Sequence, residues 1–191
     1  MEIDWSNELA DQLDWQWQNH FRPRLDGLTD EEYLWEPVPG CWSIRPAGAQ
    51  AAPRAVGAGR YRYEFAYPEP EAAPVTTIAW RLAHLIVGVF GERNASHFGG
   101  PPTSWETFEY AGTAAHALAQ LDDGYAIWIK AVRALGPDGL TRPCGPAEGP
   151  YADCPLAELV LHINREALHH GAEIALLRDL YRWKKADGNA L

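Results

Sequence analysis

Residues 156–183 read LAELVLHINREALHHGAEIALLRDLYRW, and their spacing predicts one long helix. An α-helix turns about 100° per residue, so residues four apart stay within roughly 40° of one another. Leu159, Ile163, Ala167, Ile174, Leu177 and Tyr181 then form one apolar stripe. His162, Glu166 and His170 climb beside it, with Glu166 at its edge and His170 inside it, whereas Arg165 and His169 turn away. An ionised carboxylate beside a leucine stripe is costly unless a cation or donor compensates it. A partner on a facing helix is therefore expected, and His84 is the best candidate. The E-x-x-x-H spacing alone suits a charge-assisted pair within one helix turn equally well. A third ligand is what makes it a metal site.

Bulk properties narrow the class of protein. The 191 residues suffice for one domain with a sizeable core, and a single domain over 1–191 is expected. Nine Trp residues call for large buried rings or an aromatic-lined cavity. A net charge of −10 with no basic stripe argues against nucleic acid and anionic membranes as partners. Cys41, Cys144 and Cys154 are scattered without a C-x-x-C pair, so neither a disulfide framework nor a thiolate zinc site is supported. The stretch MEIDWSNELADQLDW is acidic and has no signal-peptide hydrophobic core, and no apolar run reaches membrane-spanning length. A cytoplasmic location is expected.

Further helices are legible along the chain. Asp4 caps a first helix in which Trp5, Leu9, Leu13, Trp17 and Phe21 recur every four residues, ending near Pro23 or Gly27. Pro37, Pro39, Gly40 and Pro46 make the next stretch an irregular connection, anchored by Trp35 and Trp42. An insertion over 47–75 contains RYRYEFAY, where Tyr61, Tyr63, Phe65 and Tyr67 alternate with Arg60, Arg62, Glu64 and Ala66. Period two predicts a strand with an aromatic and a charged face, paired with Ala55 to Ala58 in a small hairpin, as surface decoration or as a flap over a pocket. Thr76 or Thr77 caps helix two, in which His84 shares a side with Trp80, Gly88 and Gly91. Two glycines beside an inward His indicate that space is needed there, for close packing or for a ligand. A third helix spans roughly Thr113 to Leu135 with His116 off its apolar stripe, and Pro155 starts the fourth. The fold expected is all-α: a four-helix bundle with a small β-hairpin insertion between helices one and two.

This pattern resembles the DinB superfamily of four-helix-bundle metalloproteins, and within it the branch related to mycothiol-dependent maleylpyruvate isomerase. TIAWRLAHL matches the helix-two segment of that family, which donates one His, here His84. REALHHGAEI matches the R-E-x-x-x-H form with a later acidic residue at Arg165, Glu166, His170 and Glu173. Aligning the all-His form instead would put ligands at 165 and 169, but Arg165 cannot ligate and both positions turn off the buried stripe. The ligand set is therefore His84, Glu166 and His170, with His162 as a reserve ligand or supporting partner. The isomerase leads one to expect a further C-terminal domain, which 191 residues are not expected to hold.

Two imidazoles and a carboxylate suit zinc, and with more coordination positions nickel or iron(II). The resemblance implies a metal-dependent enzyme, a thiol S-transferase or an isomerase of the maleylpyruvate type. It would use a low-molecular-weight thiol such as mycothiol against a small electrophile. Glu166 would be central to activity, and Arg81, beside His84, would steer an acidic substrate or cofactor unless it is an exposed structural residue. The alternative is a non-catalytic, stress-associated metal-binding protein. A homodimer is expected through the Trp-rich connection at 35–42 and exposed parts of helices one and three.

Overall fold

The computed structural model describes residues 3–186 and 188; the outermost residues of the expected 1–191 domain lie outside them. Helix α1 runs Trp5–Gln16, capped by Asp4, whose side chain accepts from the Asn7 backbone N–H at 3.2 Å. It then widens into a π-helical stretch, Trp17–Phe21, and closes with Arg22–Arg24. A π turn winds less per residue than an α turn. Apolar residues spaced by four drift around a regular helix, and the wider turn returns Phe21 toward the side of Trp17, so that both are buried. A short helix α2, Asp30–Tyr33, follows under a Thr29 cap.

Three short strands come next: β1 (Ile44–Pro46), β2 (Arg54–Val56) and β3 (Tyr61–Phe65). They form an antiparallel sheet in the order β1-β3-β2, with Ile44 opposite Tyr63 and Arg54 opposite Phe65. The expected two-stranded hairpin is thus a three-stranded sheet, because part of the proline-rich connection pairs with the free edge of β3. The expected charged outer face is also corrected at Glu64, which is wholly buried. Its Oε2 accepts from the Ser43 N–H at 2.8 Å and from Arg45 Nε at 3.2 Å, while Oε1 accepts from the N–H groups of Ala51 and Ala52. Those donors compensate the buried carboxylate.

Helix α3 comprises Ile78–His84, a π-helical stretch Leu85–Gly91, and Glu92–His97. Helix α4 is Ala114–Arg133 and the short α5 is Gly136–Thr141. After a 3-10 turn, Pro146–Tyr151, the long helix α6 spans Leu156–Ala186. The chain is mostly helical: α1 and α3 each pack against both α4 and α6, and the core lies between these runs. Trp17 stacks on Tyr125 at 3.8 Å between ring centroids, with Phe90 and Trp128 completing an aromatic centre. No helix among the described residues is long and apolar enough to cross a membrane.

The two tryptophans of the Trp-rich connection pack against the body of the protein, while Val38, between them, stays exposed. Trp35 lies 5.5 Å from Tyr181, and Trp42 lies 6.4 Å from Trp80. Beneath it, Arg178 of α6, 1% exposed, forms a forked ion pair with Glu32 of α2 at 2.7 and 2.9 Å. Its Nη1 also donates to the carbonyls of Arg24 and Asp26. Removing one member of such a pair strands the other charge in the core. Arg178→Met is expected to destabilise the protein by about 3–5 kcal/mol, and Arg178→Met with Glu32→Leu to recover most of that loss, as read from urea unfolding midpoints.

Candidate metal centre

Three helical turns bring the candidate site together. The Thr77 hydroxyl accepts from the Trp80 N–H at 3.2 Å and starts α3, and His84 ends its α-helical part. The His84 ring lies parallel to Trp80 at 5.8 Å and faces Trp105, from the loop after α3, at 5.8 Å. Gly88 makes that contact possible, since a Cβ there would stand 2.5 Å from Trp105 Cζ2. The space at Gly88 therefore serves close aromatic packing, while that at Gly91 admits Thr103. On the other side, the His84 ring meets His170 edge-on at 4.6 Å.

One donor atom each from His84, Glu166 and His170 lies within 4.8 Å of the others. The orientation of His170 is fixed from behind. Its Nδ1 is 2.6 Å from Glu173 Oε2, which also pairs with Arg81 Nε at 3.2 Å. A carboxylate on Nδ1 keeps the proton there and leaves Nε2 as the free lone pair, and Nε2 stands 3.4 Å from Glu166 Oε2. Burial, reinforced by the neighbouring His170 and by the charges of Arg81 and Arg93, pushes the His84 imidazole from its ordinary 6.5 down to about 3. Neutral imidazole is the form that ligates.

Glu166 differs from the other inward carboxylates. Glu32 has Arg178, Glu64 has Arg45 and Glu173 has Arg81, but within 4 Å of Glu166 among the described residues stand only two imidazoles, His170 at 3.4 Å and His162 at 3.8 Å. Two neutral-type nitrogen donors and a carboxylate without an arginine or lysine fit a divalent cation. A second grouping, His169, His170 and Glu173, is equally compact. It fits less well, because it needs the His170 nitrogen already engaged by Glu173, and the His169 side chain is 63% exposed.

His162 is not brought into either group; its Nδ1 faces Arg165 Nη2 at 2.9 Å and stands 3.8 Å from Glu166 Oε1, and its side chain is 42% exposed, which places it beside the donors as the expected supporting partner would be. Arg81 is not an exposed structural residue: it is held between Glu173 and the Trp80 ring, 5.0 Å from the latter. Arg165, His169 and His116 are exposed, as their wheel positions predict. The supporting role of Glu173 had a signal in the sequence, its i,i+3 spacing from His170; Trp105, in an irregular loop, had none.

A cavity of about 660 Å3 lies beside this group, lined by Arg93, Glu148, Cys154, His162 and Arg165 among others. None of the three donors lines it, but on α6 His162 lies about one turn before Glu166 and Arg165 is its immediate neighbour in sequence. Its far wall is the 3-10 turn, held by Glu148, which bonds His97 Nε2 at 2.9 Å and Arg93 Nη2 at 3.3 Å. The aromatic face of β3 reaches the site indirectly: Tyr63 stacks on Trp80 at 4.8 Å, and Trp80 backs His84.

The His84 shift has a testable sign. Between pH 6.5 and about 3 the unfolded chain holds a proton on His84 that the folded chain does not. Stability of the metal-free protein should therefore fall as pH drops through that window. His84→Phe should flatten this part of the dependence, measured as urea midpoint against pH; an unchanged slope would rule out a buried, neutral His84.

No curated protein and no solved structure matches the chain. A family model described as the DinB superfamily matches residues 12–174, a span that starts within α1 and includes His84, Glu166, His170 and Glu173. That match covers most of the sequence and agrees with a mostly helical fold carrying a grouped His/Glu donor set, so the chain belongs to the DinB superfamily.

Proposed function

We propose that the four long helical runs form a DinB-type four-helix bundle holding a mononuclear divalent cation on His84, Glu166 and His170. The observation that carries this reading is Glu166: a half-buried carboxylate facing two imidazoles, with no arginine or lysine within 4 Å among the described residues. Zinc suits the donor set, with nickel or iron(II) as further options. When bound, the cation supplies a Lewis acid that favours the thiolate form of a small thiol. We read the protein as an enzyme that presents such a thiol to a small electrophile, in thiol transfer or thiol-assisted isomerisation.

The chain's own residues divide the work around that centre. Glu173 holds the Nδ1 proton of His170 and thereby aims Nε2 at the donor group. Arg81 neutralises Glu173, so the supporting carboxylate adds little net charge. Trp80 and Trp105 flank His84 and exclude water from that side. The neighbouring cavity carries charges of both signs, Arg93 and Arg165 with Glu148 and Glu158, and Arg93 is paired to Glu148 at 3.3 Å, so the cavity suits a polar substrate or cofactor.

Metal analysis of untagged protein is expected to find a stoichiometric divalent ion that His84→Ala and Glu166→Ala lose. Glu173→Gln should retain the site but weaken affinity by about 10–100-fold. Protein that is metal-free from the start, or that keeps its metal in both alanine variants, would leave the group as a polar core network. The thiol step has its own readout: addition of a small thiol to the cobalt-substituted protein should change its visible absorption spectrum, and an unchanged spectrum would remove the thiol from the reading.

A further inference from the structure

Helix α6 is apolar on two opposite sides. The inner stripe fills the core, while Leu161, Leu168, Leu176 and Trp183 point outward with 51%, 39%, 60% and 68% of their surface exposed. A helix that is apolar all round is normally covered all round, and a contiguous exposed patch marks an interaction surface. Arg165, Ala172 and Asp179 belong to the same outward face and are exposed as well. At about 100° per residue the seven positions fall within a sector of roughly 80°.

The order of residues on this face is symmetric. Leu168 and Leu176 stand four positions before and after Ala172, Arg165 and Asp179 seven, and Leu161 and Trp183 eleven. An eleven-residue repeat averages about 3.67 residues per turn, close to that of a straight helix. The face therefore stays aligned over its length of about 33 Å. A two-fold interface requires that whenever residue i meets residue j of the other copy, j also meets i. This pattern satisfies that condition in one antiparallel register.

We infer that the chain pairs with a second copy of itself through the outward face of α6, antiparallel and centred on Ala172. Leucine 168 then packs on the partner's Leu176, and Leu161 on the partner's Trp183. Arg165 meets the partner's Asp179, twice by symmetry. The small side chain at the crossing lets the helices approach closely. Opposite charges placed at equal distances from the centre fit a second copy of this chain; a membrane surface or an unrelated protein has no need of them. Asp179 accepts from Arg24 Nη2 at 2.6 Å, yet its side chain remains 53% exposed and keeps acceptor capacity for the partner's Arg165.

This register has a consequence for the cavity. Leu161 and Arg165 line it, so the partner's Trp183 and the partner's Asp179 come to its rim, and each copy helps to close the cavity of the other. This surface is not the one expected from sequence, which named the connection at 35–42 and exposed parts of helices one and three; the exposed leucines lie on the last helix.

Light scattering at micromolar concentration is expected to show a dimer. Leu168→Glu with Leu176→Glu should give a monomer of unchanged helical circular dichroism. Arg165→Asp, which sets two acidic groups face to face, should weaken association at least about tenfold. Adding Asp179→Arg to Arg165→Asp should restore it to within about threefold of the original. Ala172→Cys should crosslink to itself with a short bismaleimide, under conditions in which the unmodified sequence does not. A monomeric parent protein, a dimer that survives the two glutamates, a charge reversal without rescue, or an Ala172→Cys dimer that does not crosslink would each overturn the proposal.

Discussion

The constraint on which the structure depends is the column of polar groups along the inner side of α6. Asn164, Glu166, His170, Glu173 and Arg178 all point toward other parts of the chain rather than to open solvent, and each must be satisfied there. Asn164 Nδ2 donates to the Leu9 carbonyl of α1 at 2.8 Å. Glu173 and His170 reach Arg81 and His84 of α3. Arg178 takes Glu32 and the carbonyls of Arg24 and Asp26. Between them these ties reach α1, α2 and α3. An apolar stripe alone would allow α6 to slide or rotate by a few degrees, whereas directional polar contacts at successive levels hold its axial position. The candidate metal site is the middle of that column, so its geometry is set by the same contacts that hold the helices in place.

Much of this was legible from residue spacing, because helices expose their period directly. The caps at Asp4 and Thr77, the start of α4 near Thr113 and its stripe, and the inward turn of Glu166 and His170 all follow from local rules that tertiary contacts did not override. The π-helical stretches after Gln16 and His84 were not legible, since they depend on how a whole helix meets its neighbours. Glu64 illustrates a second kind of failure. Alternation placed it correctly on the face opposite Tyr63, but the burial of that face is decided by residues 43, 51 and 52 folding over it. Arg178 was hidden for a similar reason: a helix wheel places it near the core, but only the position of Glu32 explains how a guanidinium is tolerated there.

The two sides of α6 also divide the chemistry between them. Inside, the apolar stripe is interrupted by polar groups that need partners, which fixes one arrangement of helices. Outside, Leu161, Leu168, Leu176 and Trp183 share their face with Arg165, Ala172 and Asp179, all of them exposed. A single helix of 31 residues therefore serves at once as a wall of the candidate site and as an apolar outer surface of the protein. The cavity lies where these sides meet, at Leu161, His162 and Arg165.

The electrostatics of the column point to its middle as the place that is least complete. Near its lower end Glu32 and Arg178 cancel, and Glu173 and Arg81 cancel one turn from the donors. Under the sheet Glu64 is answered by Arg45 and three amide N–H groups. Glu166 faces His170 at 3.4 Å and His162 at 3.8 Å instead, and an imidazole offers a full charge only when protonated. His84, the third member, is driven away from protonation by its burial. A protein that balances Glu32, Glu64, Glu148 and Glu173 with arginine and leaves Glu166 facing imidazole nitrogens has arranged donors around a point where positive charge would be stabilised. A divalent cation there would meet one anionic and two neutral donors, retaining a net charge of about +1 with which to polarise a further ligand.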